Sequence, residues 1–87
     1  MEKVLMLCRK VIQDFEGWDW DKETKDLLQS IKENIYTSNI EALTNQFRLL
    51  LCELKDIEGS EEETADVITL IFELEKVKRE INQTNLF

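Results

Sequence analysis

Between Ile40 and Ile57, large apolar residues alternate three and four positions apart without a gap: Ile40, Leu43, Phe47, Leu50, Leu54 and Ile57. A strand repeats its faces every two residues, whereas this spacing draws one face of an α-helix. Little interrupts such patterns elsewhere, because the chain has no proline and only two glycines. A many-stranded sheet needs turn signals every ~8–12 residues, and this sequence cannot supply them. The expected class is all-α, in one domain spanning residues 1–87. A chain this short buries about 60–65 % of its unfolded surface, so the 43 % of apolar residues must form an efficient core.

The same periodicity places a first helix over residues 2–16, with Val4, Cys8, Val11 and Phe15 on its seam and Leu5 and Ile12 beside them. Gly17 ends it, in the left-handed role glycine fills at helix stops. After the connector Trp18-Asp19-Trp20, Asp21 suits an N-cap. Leu27, Leu28, Ile31 and Ile35 carry helix two to Tyr36, where Thr37-Ser38-Asn39 breaks it. Ser38 and Glu41 read as a capping box opening helix three. Leu49, Leu51 and Cys52 widen its seam, and Gly59 stops it. Ser60 and Glu63 read as a second capping box, opening a helix four with Val67, Leu70, Ile71, Leu74, Val77 and Ile81 on its seam. Residues 82–87, NQTNLF, read as a flexible tail with an apolar tip. Helices three and four are expected to be about 28–30 Å long. A two-residue link folds them into a hairpin, and short loops throughout make an antiparallel four-helix bundle the expected fold.

Charge and cysteine content narrow the function classes. A net charge of −8 argues against a nucleic-acid binder, which needs clustered Lys and Arg, and against adhesion to anionic lipid. Cys8 and Cys52 both sit inside apolar runs and read as buried small hydrophobes rather than a disulfide. With no histidine in the chain, a zinc set is not expected. The amino terminus lacks a signal-peptide pattern, and no apolar run approaches the ~18 residues of a membrane span. The expected setting is cytoplasmic and reduced, without direct membrane insertion.

One stretch invites an enzymatic reading. DIEGSEEETADVI, from Asp56 to Ile68, carries Asp56, Glu58, Glu61, Glu62, Glu63 and Asp66 around Gly59. Glu63-Thr64-Ala65-Asp66 resembles the second metal motif, E-x-x-D, of the MazG-like nucleotide pyrophosphohydrolases, which are all-α and Mg²⁺-dependent. Glu53-Leu54-Lys55-Asp56 resembles the first, with Asp in place of the second Glu. On that reading Glu53, Glu63 and Asp66 are candidate metal ligands, since oxygen donors at i and i+3 share a helix face. Against it, Asp56 falls about 150° from the seam of its helix, Glu63 has a role in the capping box, and acidic residues belong in the first turn of a helix. The preferred expectation is a helix stop followed by a helix start, with no metal, no cofactor and no catalysis.

The layout as a whole points elsewhere. The second helix DKETKDLLQSIKENI, the third LTNQFRLLLCELKDI, a short polar turn and the fourth ITLIFELEKV resemble, across nearly the whole chain, the immunity proteins of pediocin-like bacteriocins, the enterocin A immunity family. That resemblance implies an intracellular four-helix bundle without catalytic residues. It also implies protection of a producer cell by cytosolic binding to a membrane sugar permease that a toxin has engaged, with specificity in the carboxyl-terminal half. Many members of that family are basic, unlike this chain.

Candidate partner-binding residues follow from position. Ile68 and Phe72 lie about 120–160° from the seam of helix four, so either helix one covers them or they form an exposed apolar patch. Trp18 and Trp20 either staple their loop to the bundle or anchor a partner. Leu86 and Phe87 end the tail and either fold back or remain available. A third class, a small acidic phage-type inhibitor of a host protein, is compatible with the same size and charge.

Overall fold

The computed structural model describes residues 2–84 and contains four α-helices: α1 (Glu2–Phe15), α2 (Lys22–Tyr36), α3 (Ile40–Lys55) and α4 (Glu61–Thr84). α1 packs on α2, α2 on α3, α3 on α4, and α4 returns to close against α1. Successive helices run antiparallel, so the expected four-helix bundle is the fold observed.

The helix seams converge on a single core. α1 contributes Val4, Leu5, Cys8, Val11, Ile12 and Phe15, and α2 contributes Leu28, Ile31 and Ile35. Ile40, Leu43, Phe47, Leu50 and Leu54 enter from α3, and Val67, Leu70 and Leu74 from α4. Burying side chains of this kind stabilises a fold by about 1.5–3 kcal/mol each before entropy is counted. Cys8 is fully enclosed, and burial pushes its thiol up to about 12. Cys52 contradicts the expectation of burial. It is exposed, on the outer side of α3 with Leu49, and of the three residues expected to widen that seam only Leu51 packs against the core.

Polar groups inside the bundle are all accommodated. The Thr44 hydroxyl donates to the Ile40 carbonyl at 2.8 Å. Between α2 and α3, Gln46 Nε2 donates to Ser30 Oγ at 2.7 Å while Gln46 Oε1 accepts from Asn34 Nδ2 at 2.8 Å. A one-turn slip of α2 against α3 breaks both bonds, so this ladder fixes their register. Among the described residues no buried side-chain polar atom lacks a partner.

Both expected capping boxes are replaced by other devices. Ser38 adopts φ +58°, and its N–H donates to Ile35 O at 3.1 Å while the Asn39 N–H reaches Asn34 O at 2.9 Å. These are the paired bonds of a Schellman motif, with serine at the left-handed position glycine usually takes. The cap of α3 is therefore Asn39, whose Oδ1 accepts from Ala42 N at 3.2 Å. At the other junction α3 stops at Lys55, and the link to α4 covers residues 56–60 instead of two residues. Asp56 N and Ile57 N bond the carbonyls three positions back, at 3.3 and 3.0 Å, which tightens the chain out of the α-helical ladder. Gly59 at φ +81° then reverses it. Buried Ser60 donates its hydroxyl to the Leu54 and Ile57 carbonyls, both at 2.8 Å, closing the end of α3 in place of the expected bond to Glu63. At 1.5 Å per residue α3 is about 24 Å long and α4 about 36 Å, so the two are not the matched pair expected.

Candidate functional site

The connector between α1 and α2 is an aromatic knot. Gly17, at φ +92°, turns the chain back after Phe15. The Phe15 carbonyl, one of the open acceptors at the end of α1, then accepts from Trp18 N at 3.3 Å and from Trp20 Nε1 at 3.0 Å. Trp18 and Trp20 stack with ring centroids 5.3 Å apart and 15° between planes. Phe15 meets both edge-on, at 5.1 and 5.8 Å. Such geometry contributes about 0.5–1.5 kcal/mol per pair beyond burial. Trp20 is buried and its indole N–H is used, so it has little left to offer a partner; Trp18 is half-buried against the core. Asp21 follows at once as the N-cap of α2, accepting from Thr24 N at 2.8 Å. Hydrogen bonds from the Thr24 backbone and side chain hold the Asp21 carboxyl below its usual range.

Ile68 and Phe72 have the opposite fate. On α4 the buried line is Val67, Leu70 and Leu74. Each residue step turns about 100°, so Ile68 leaves the core edge and Phe72, one turn later, follows it outward. They are 39 % and 69 % exposed. Helix one does not cover them: it lies along the other edge of α4, beside Asp66, Thr69, Leu70, Glu73 and Val77. Ile68 instead lines a shallow groove at the hairpin end with Leu54, Ile57 and Ala65, bordered by Lys55 and Glu61. The pair thus forms an apolar patch on the outer side of the α3–α4 hairpin.

The residues of the enzymatic alternative are not gathered. Glu53 is exposed on α3, Glu63 is half-buried in the first turn of α4, and Asp66 lines the groove toward α1 with Lys10 and Asp14. Among the described residues no group of three Asp, Glu, Cys or His side chains is placed to hold a metal ion. Leu86 and Phe87 lie outside the described residues. Two exposed residues on α1 escaped the sequence reading: Met6 at 64 % and Leu7 at 41 %. The signal available for Leu7 was its position about 60° from Val4 on the helical wheel, at the margin of the seam.

Among the described residues no helix is long and apolar enough to cross a membrane. No family model matches the chain, nor does any curated protein or solved structure match it at a significant level. What fold and surface together define is an all-α bundle with a well-satisfied interior and an apolar patch on its longest helix.

Proposed function

We propose that this chain acts by binding a protein partner through α4, as an immunity protein that protects a producer cell from a pediocin-like bacteriocin. The observation that carries the reading is the Ile68–Phe72 patch. Leaving Phe72 largely in water forgoes most of the about 1.5–3 kcal/mol that full burial supplies, and Ile68 forgoes a smaller share; contiguous exposed apolar residues mark interaction sites. The patch falls in the carboxyl-terminal half, where the resemblance locates specificity. On this reading the partner is a membrane sugar permease engaged by toxin, met from the cytosolic side, and the chemistry is recognition without bond making.

The test is protection. The chain is expressed in a toxin-sensitive strain, alongside Phe72→Ser and Ile68→Ser. Wild type is expected to protect, and both variants to lose protection while their melting temperatures stay near wild type. A wild-type chain that gives no protection sinks the immunity reading. Full protection by both variants sinks the patch as the recognition surface.

A further inference from the structure

We propose that the α1–α4 face joins two copies of the chain in a weak, two-fold symmetric dimer. Unlike the Ile68–Phe72 patch, this face lies on the other edge of α4, and the proposal does not depend on the immunity reading. Between the helices runs an open groove of about 490 Å³, floored by Val4, Leu7 and Val77, with Met6 on its α1 side. Met6 is adaptable, as thioether side chains at contact surfaces are. At its further end the groove continues past Leu7 and Lys10 to Val11 and Leu70.

The charges on the two walls select the occupant. The α1 wall carries Lys3 and Lys10, seven residues apart and therefore on one edge of the helix. The α4 wall opposite carries Glu73. None of these three forms a salt bridge among the described residues, where Lys32 pairs with Glu16 and Arg48 with Glu75. A two-fold axis parallel to the helices lays α1 of one copy over α4 of the other. Because α1 and α4 are antiparallel and Leu7 and Glu73 line the same stretch of groove, this arrangement brings each Glu73 toward Lys3 and Lys10 of the other copy. A two-fold axis across the helices instead places lysines over lysines. Only the first arrangement is self-complementary, as an isologous interface must be. Asp14 and Asp66 lie at the far end of the groove, where helices crossing at the usual ~20–50° diverge.

Two magnitudes set the strength. From Lys3 to Lys10 the face is about 11 Å long, and two helices are about 20 Å wide. That gives about 200 Å² per copy, well short of the ~800 Å² per partner of a stable interface. The net charge of −8 opposes association over long range. At physiological salt the screening length is about 8 Å, so charges on the far faces fall silent and the local pattern decides.

Sedimentation equilibrium of the full chain at about 0.5 mM, toward the millimolar end of the affinity scale, tests the proposal. A reversible monomer–dimer equilibrium is expected. Lys10→Glu and Glu73→Lys should each weaken it about tenfold or more, and the Lys10→Glu/Glu73→Lys double variant should associate more tightly than either single one. Far-ultraviolet circular dichroism checks that each variant keeps its helices; both positions border an open groove. A monomeric wild type overturns the proposal, as does association unchanged by the single variants. Single variants that weaken it without recovery in the double variant overturn the two-fold arrangement.

Discussion

Trp18 and Trp20 sit in a loop, Ile68 and Phe72 on a helix, and the two pairs of large apolar residues end in opposite environments. The loop pair bends back until both rings pack on Phe15 and one indole finds a carbonyl at 3.0 Å. The helical pair has no such freedom. Once Val67, Leu70 and Leu74 face the core, the 100° step fixes where Ile68 and Phe72 point. A loop residue is buried if the chain can reach an acceptor and a surface; a helical residue is buried only if its azimuth agrees with its neighbours. The geometry of α4 thus fixes which positions face water, and the sequence alone places Ile68 and Phe72 at two of them.

The contrast can be broken from its buried side first. Trp20→Ala should destabilise the bundle by about 3–5 kcal/mol, the range for large core aromatics, measured by urea denaturation. A loss below about 1 kcal/mol means the knot is ornamental. Leu50→Ala, on the regular seam of α3, should cost a comparable 2–5 kcal/mol and calibrates the loop against a helix. Asn39→Ala removes the cap of α3 and should cost about 1 kcal/mol. Ser38→Gly should stabilise by up to about 1 kcal/mol, because glycine takes the left-handed position without strain. If it destabilises, the serine has a role its φ does not reveal. Phe72→Ser closes the series at about 0.5 kcal/mol or less, as exposed substitutions do; a larger loss places Phe72 among structural residues and erases the contrast.

Acid offers a further probe of the loop. The Asp21 carboxyl is held below its ordinary range by Thr24, so the folded state gains from its ionised form. That contribution is complete above about pH 4 and is lost as pH falls through the lowered folded value. Asp21→Asn, which still caps, should flatten this acid limb of the stability profile.

Periodicity made the architecture legible. All six apolar residues assigned to α1 are buried, as are the first five seam residues of α3. What periodicity could not carry was any feature defined by a neighbour distant in sequence or by a backbone angle. Ser38 precedes a glutamate three residues on, which fits a capping box, yet its left-handed φ gives the cap to Asn39. Ser60 fits the same pattern, but the Leu54 and Ile57 carbonyls lie within reach and accept its hydroxyl hydrogen bond. Cys52 sits in the apolar run Leu49–Cys52, and a run crosses every azimuth of a helix, so hydropathy alone misassigned it. At the candidate site, Ile68 and Phe72 could be singled out by angle. Their exposure depended on which edge of α4 helix one would occupy, and that is a tertiary fact.

The two thiols differ enough to make the molecule its own stopwatch. Cys52 is open to solvent, whereas Cys8 is sealed and raised from its ordinary 9.0 to about 12. A thiol reagent should modify Cys52 at once and Cys8 only when the bundle opens, since the thiolate is the reactive form. In Cys52→Ser the remaining modification rate times the opening events of α1, with no added label. Raising the pH above about 9 should shift the balance toward the open form, because the unfolded chain sheds a proton that folded Cys8 retains until about 12.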